Sequence, residues 1–263
     1  MTEGREDPMQ REIPFIRTGA HYSRAPIVEA IIEIRCDLPA EVNLNSLKGA
    51  VDPDEYPGVG NQVEVTGTLD ISDAGVRNET ATQQTGFAFT RSDSQRIVHA
   101  GLKRFAYSAL RPYDRWSTFS REAWDAWLVY QRAVKPSRAT RLGVRYVNRI
   151  EIPDPMVEIK DYLRTAIDVS PYLSQMVEGY FLQVQVPLQS YRAAATVTST
   201  LVEPDRVDTT VLVLDIDAWQ RTDIDFSTED SPAVIQQGLD NLRNAKNYVF
   251  EACITDATRG LIR

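Results

Sequence analysis

Residues 141–149 read "RLGVRYVNR" and place Arg141, Arg145 and Arg149 four apart. With Leu142, Val144, Tyr146 and Ile150 between and after them, the stretch has the alternation of a β-strand. Side chains alternate across a strand, so the three arginines share one face and Tyr146 and Asn148 take the other. A second strand with the same spacing and opposite charge lies upstream in "PIVEAIIEIRCDL", residues 26–38, where Glu29, Glu33 and Asp37 share a face. Val28, Ala30, Ile32, Ile34, Cys36 and Leu38 form its apolar side. Paired antiparallel, the two strands match all three charges in one register: 29 with 149, 33 with 145 and 37 with 141. Arg35 then faces Gly143, where no side chain obstructs it. Opposite charges directly across a sheet contribute about 0.2–1 kcal/mol per pair and disfavour slipped registers. The expectation is therefore an ion-paired seam between two strands. The alternative leaves the arginine face open, with Arg141, Arg145 and Arg149 as a site for phosphate or carboxylate groups.

Working outward, each of these strands opens a run of similar elements. After the first come a short helix in "NLNSLKGAV", a strand at "NQVEVTGTLDIS", and a hairpin of "GFAFTR" with "RIVHAGLKRFAYSAL". A helix over 119–135 follows, its apolar stripe set by Phe119, Ala123, Trp127, Tyr130 and Val134. Pro136 ends it. The second run has a strand at 140–152 and a short amphipathic helix in "DPMVEIKDYLRTAI". Strands at "YFLQVQVPL", "YRAAATVTSTLV" and "DTTVLVLDIDAW" come next, then a helix over 231–255. Ser231 is expected as its N-cap with Pro232 in the first turn. Val234/Ile235, Leu239, Leu242, Ala245/Lys246, Val249 and Cys253 trace its apolar side. The expected fold class is α+β: two similar halves of strand, short helix, three strands and long helix, forming antiparallel sheet with the long helices on one face. The corresponding division is an N-terminal flexible segment 1–21, a first half 22–138 and a second half 139–263, packed as one unit.

The 263 residues are long enough for a substantial core. No apolar run approaches the roughly 18–20 residues of a membrane span, and "MTEGREDPMQREIPF" is no signal segment. Two cysteines imply no disulfide framework, so a cytoplasmic location is expected. The net charge of −8 argues against nucleic acid, but the charge is segregated. Residues 91–149 carry 13 Lys/Arg against 4 Asp/Glu, whereas 27–79 carry 3 against 11 and 201–230 carry 2 against 9. The basic middle either packs against the acidic flanks or attracts an anion.

The chain offers little catalytic chemistry by pattern. There is no GxxxxGK[ST], no GxGxxG and no GxSxG. His21 and His99 stand alone, which disfavours a histidine metal site. Cys36 and Cys253 occupy apolar faces. Asp215 and Asp217 share a strand face, with Asp223 and Asp225 following, and such carboxylates could hold Mg²⁺ in a hydrolase. The basic and aromatic stretch "HAGLKRFAYSALRPYDRW" could stack single-stranded nucleic acid, although Tyr107, Tyr113 and Trp116 pack equally well against the next helix. Trp124 lies off the main helical stripe and is expected to touch the other half or another subunit.

The phrases "YSRAPIVEAIIEIR", "PYDRWSTFSREAW", "TRLGVRYVNRIEIP" and "NYVFEACITDATRGLI" occur in that order from about Tyr22 to Ile262. As a set they resemble a sporadically distributed bacterial family of uncharacterised proteins, which open with an A-P-I-V-E-A strand and close with an F-E-x-x-I-T-D segment. The resemblance implies no assigned activity, cofactor or catalytic residue. The family's patchy distribution implies an accessory role in defence or competition. The functional expectation is a non-enzymatic binding or interaction protein with an unknown protein partner or a small anion, able to form a homodimer and using no cofactor. An anion or nucleotide binder and a metal-dependent hydrolase are the alternatives.

Overall fold

The computed structural model describes residues 16–72 and 75–263. The chain forms one sheet from β1 (Ile27–Asp37), β2 (Gly58–Ser72), β3 (Gly75–Thr90), β4 (Arg96–Gly101), β5 (Arg104–Leu110), β6 (Arg138–Ile152), β7 (Phe181–Leu188), β8 (Ala193–Val202) and β9 (Thr210–Asp225). The order is β2-β3-β4-β5-β1-β6-β9-β8-β7, every neighbouring pair antiparallel. Helices α1 (Trp116–Val134) and α3 (Ser231–Cys253) cover one face. A single turn, α2 (Ile159–Tyr162), the closing α4 (Asp256–Ile262) and two short 3-10 helices, Ser46–Gly49 after β1 and Gln189–Tyr191 before β8, complete the helices among the described residues. The fold is thus α+β with one large antiparallel sheet.

Alternation dictates which face is covered. Ala30, Ile32, Ile34 and Cys36 of β1 and Leu142, Val144 and Tyr146 of β6 are buried beneath the helices. The buried residues of α1 are Phe119, Ala123, Trp127, Tyr130 and Val134, the stripe expected from spacing. At roughly 25 cal/mol per Å², each large aromatic there contributes several kcal/mol gross. Gly238 lets α3 settle on β6: a Cβ there would stand 2.7 Å from Leu142 Cδ1. Val234 turns outward and Ile235 inward.

Four expectations need correction. The β1–β6 pairing is antiparallel, but its register differs by two residues: Glu29 lies opposite Val147, Glu33 opposite Gly143 and Arg35 opposite Arg141. A slip of two preserves the buried face, so the apolar pattern does not resist it. The carboxylates the arginines would lose are replaced from β9, and a shift after Arg35 brings Asp37 opposite Arg138. Second, "RIVHAGLKRFAYSAL" is not one strand; it folds back at Leu102–Lys103 into β4 and β5, giving the first run four strands after its short helix. Third, the amphipathic stretch 154–167 yields only the four residues of α2, which Leu163 leaves in extended geometry to bridge Ile254. Fourth, Asp230 rather than Ser231 holds the N-cap position of α3. Of the expected N-terminal segment, residues 1–15 lie outside the described residues.

Candidate functional site

The sheet's open face carries the charges. Arg141, Arg145 and Arg149 do project together from β6, and each is occupied. Arg141 bridges Glu33 and Asp217 (2.6 Å to Oδ2), and Gly143 leaves the space its guanidinium fills, 2.7 Å from where a Cβ would be. Arg145 donates twice to Asp215, at 2.9 and 2.6 Å, and Arg149 pairs with Asp205 at 2.7 Å. Burial raises Asp217 above the usual carboxylate range although Arg141 opposes it; burial also pushes on Glu33, where Arg141, Arg35 and Arg104 prevail and hold it low. Asp215 and Asp217, the carboxylates of the hydrolase reading, are thereby the counterions of the arginine row. Asp223 serves Arg138, and Asp225 accepts from Ser227 N at 2.8 Å. No group of three or more metal-ligating side chains comes together among the described residues.

A cavity of about 350 Å³ on this face is walled by both signs of charge, including Glu29, Glu33, Arg104 and Asp217. His99 faces it from β4. Gln62 donates to His99 Nδ1 at 2.5 Å and Ser108 Oγ lies 3.3 Å from Nε2. Burial, aided by the Arg104 charge, holds the ring neutral and pushes its pKa down to about 4. Ser108 is itself fully buried at the cavity wall.

The helix side holds a different site. A cavity of about 490 Å³ lies between α3, the connection before α1 and residues 19–27. That size falls in the ordinary range for small-molecule pockets. Tyr146 and Asn148 of β6 form its floor, because the alternation that sends the arginines outward sends these inward. The Tyr113 and Tyr146 hydroxyls lie 2.7 Å apart. Asn148 donates to the Leu214 and Tyr146 carbonyls at 3.0 and 3.3 Å. The N-terminal stretch is strapped across α3 and α4 by Tyr22 donating to Glu251 (2.8 Å) and Arg24 N to Ile262 O (3.1 Å). His21 lines the wall.

Cations dominate this cavity. Arg111, Arg243 and Lys246 line it, and none has an ion pair among the described residues. The carboxylates in the walls are engaged elsewhere, Glu251 with Arg259 at 3.0 Å and Asp114 with Arg115 at 3.1 Å. Three charged residues are buried among the described residues: Arg96, Glu251 and Lys246. Arg96 has Glu122 at 2.6 Å and Glu251 has Arg259; Lys246 has only the face of Tyr146, its Nζ 3.7 Å from the ring centroid. Burial and the nearby Arg243 charge push Lys246 down to about 7, against the stabilisation the ring face gives its ammonium. An unpaired buried cation costs several kcal/mol unless something answers it.

Trp116 separates this cavity from a groove of about 280 Å³ between α1 and α3, where its Nε1 donates to Asp240 at 2.7 Å. Trp124 lines that groove, with Gln236, Leu239 and Asp240 of α3 among the residues of its other wall. Sequence reading missed the cationic cavity, since Arg111, Tyr113, Tyr146, Asn148, Arg243 and Lys246 are dispersed over 136 positions. The available signal was a lysine at an apolar-stripe position of α3. No protein-family model matches the chain, and a search of curated proteins finds no match.

Proposed function

We propose that the protein is a binding protein for a small anionic ligand, held in the helix-side cavity by Arg111, Arg243 and Lys246. The observation that carries this reading is Lys246, a buried cation with no carboxylate, in a cavity whose acidic groups are already paired. A phosphate or carboxylate placed there would receive charge-assisted hydrogen bonds from two arginine forks and the ammonium. The Tyr113–Tyr146 hydroxyl pair and the Trp116 ring supply polar and planar contacts to the rest of the ligand, which a nucleotide-like molecule would use. The free, buried cysteines support the cytoplasmic setting, and no helix is long and apolar enough to cross a membrane among the described residues. The resemblance to a patchily distributed family supports an accessory role in defence or competition, with homodimer formation or an unknown protein partner as its wider context. The order of strands outward from β1–β6, with β5 matched by β9, β4 by β8 and β3 by β7, supports two similar halves with β2 as an addition.

Titration calorimetry with pyrophosphate and ATP tests the reading, together with quenching of Trp116 fluorescence. Wild-type protein is expected to bind one of the two, and Arg243→Ala to weaken binding at least about tenfold, the loss typical of a charge-assisted contact. Flat titrations with both probes would overturn it. Arg145→Ala separates this site from the outer arginine row: binding lost there and kept in Arg243→Ala would move the ligand to the open face.

A further inference from the structure

We infer that Lys246 is a carbonyl-capturing amine, and that the ligand of this cavity carries an aldehyde or ketone beside its anionic group. The inference rests on the anion-site reading and specifies the ligand's chemical class. A simple anion receptor needs only charged groups, and Arg111 and Arg243 supply them permanently. Lys246 differs from both in its chemistry and its burial. It projects from α3 toward the floor of the cavity, beside a Tyr–Tyr hydroxyl pair and with no carboxylate to hold its proton. Against it stand the Tyr146 ring from β6 and the Arg243 charge one turn back on α3. The other titratable groups of the cavity are His21, Arg24, Arg111 and Tyr113, with Asp114 tied to Arg115 and Glu251 to Arg259 and Tyr22. None of them stabilises the ammonium as a carboxylate would. A desolvated lysine next to another cation is a recognised way to keep an amine nucleophilic near neutral pH.

The step balances without a redox partner. The lone pair of the neutral Lys246 amine attacks the carbonyl carbon, forming a C–N bond while the C=O π pair moves to oxygen. That oxygen takes a proton, for which a tyrosine hydroxyl of the pair is the adjacent donor. The tyrosinate so formed recovers a proton from the new C–N ammonium. The remaining amine hydrogen then passes to the oxygen, which leaves as water, and a neutral imine remains. Arg111 and Arg243 hold the anionic group meanwhile, which fixes the carbonyl within reach.

The other lysines, Lys48, Lys103, Lys135 and Lys160, are all exposed, so accessibility and reactivity predict opposite labelling patterns. At pH 7 an amine with pKa near 7 is about half neutral, whereas an ordinary lysine is neutral about once in 2,500 molecules. The experiment treats the full chain with pyridoxal 5′-phosphate, a phosphorylated aldehyde, at pH 7, traps imines with borohydride and maps adducts by mass spectrometry. Labelling of Lys246 at least about tenfold above each exposed lysine is expected, abolished by Lys246→Arg or by excess pyrophosphate. Labelling that follows exposure, with Lys246 the least modified, would overturn the inference. Pyridoxine 5′-phosphate, the alcohol that cannot form an imine, keeps the two readings apart. If the alcohol binds and no adduct forms at Lys246, carbonyl capture fails and the anion site stands; if neither compound binds, both fail.

Discussion

Two bases, the buried Lys246 and the half-buried His99, set opposite ends of the protein's pH response. Both are depressed below their ordinary values, to about 7 and about 4, chiefly by burial. Between a group's folded and unfolded pKa, the unfolded chain binds the extra proton, so stability rises with pH through that window. For His99 the window is about pH 4 to 6.5: its contribution is complete above 6.5 and lost as the pH falls toward 4. His99→Gln, which keeps a polar partner for Gln62, is expected to flatten the urea-stability profile there by about 1 kcal/mol per pH unit. An unchanged slope would mean that the ring is not neutral in the fold. For Lys246 the window is about pH 7 to 10.5, with the full penalty below 7. Lys246→Met retains the stem's apolar packing and removes the desolvated charge. It is expected to raise stability by about 1–3 kcal/mol at pH 7 in urea unfolding while weakening anion binding. Stability lost on that change would show that the ammonium contributes to the fold itself.

At the scale of elements, the β1–β6 seam shows what alternation specifies and what it leaves open. The inward faces of β1, β6, α1 and α3 were legible in the sequence because burial fixes them with period two or three to four. The register was not, because a two-residue slip exchanges one charged row for another of the same pattern. β9 decided it: Asp217 lies opposite Arg145 in the ladder, and Asp215 opposite Val147. Neither carboxylate could be tied to β6 before the strand order was known. The site was hidden for a related reason. Tyr146 and Asn148 read correctly as inward residues, and nothing in β6 announces that α3 leaves a cavity over them. The seam's arginines should differ sharply in worth. Arg141 and Glu33 have side chains only 14% and 13% exposed, whereas Asp205, the partner of Arg149, is 84% exposed. Arg141→Ala should cost about 2–4 kcal/mol by stranding Asp217 beside Glu33, and Arg149→Ala less than about 1 kcal/mol. Urea titrations of the two variants would check the contrast, and equal losses would refute the buried-seam account.

For the whole molecule, the same seam decides whether the two runs of elements are separable. β1 and β6 are the central neighbours, so cutting the chain between α1 and β6 would expose two long strand edges at once. One core cluster crosses that line. It joins Ile32, Phe105 and Trp127 to Leu142, Tyr146, Ala218 and Leu239, with no apolar boundary between the runs. The second cluster, around Ile150, Leu214 and Val249, is smaller; its buried residues come from the later elements, and Tyr22 packs against it from the N-terminal stretch. A protein so joined should unfold as one cooperative unit. Trp116, Trp124 and Trp127 lie on α1 and Trp219 on β9, so replacing Trp219 by Phe makes fluorescence report on α1 and its contacts, Asp240 and Phe226 among them. Its urea midpoint is expected to coincide with that of far-ultraviolet circular dichroism, which averages over the whole sheet. Expressed separately, residues 16–136 and 137–263 should aggregate or pair through their bared edges, and co-expression should restore the fold. Two separated transitions, or a stable monomeric half, would instead place the principal stability within each run. The helix-side cavity would then lie on a movable joint, since Tyr113 belongs to one run and Tyr146, Arg243 and Lys246 to the other.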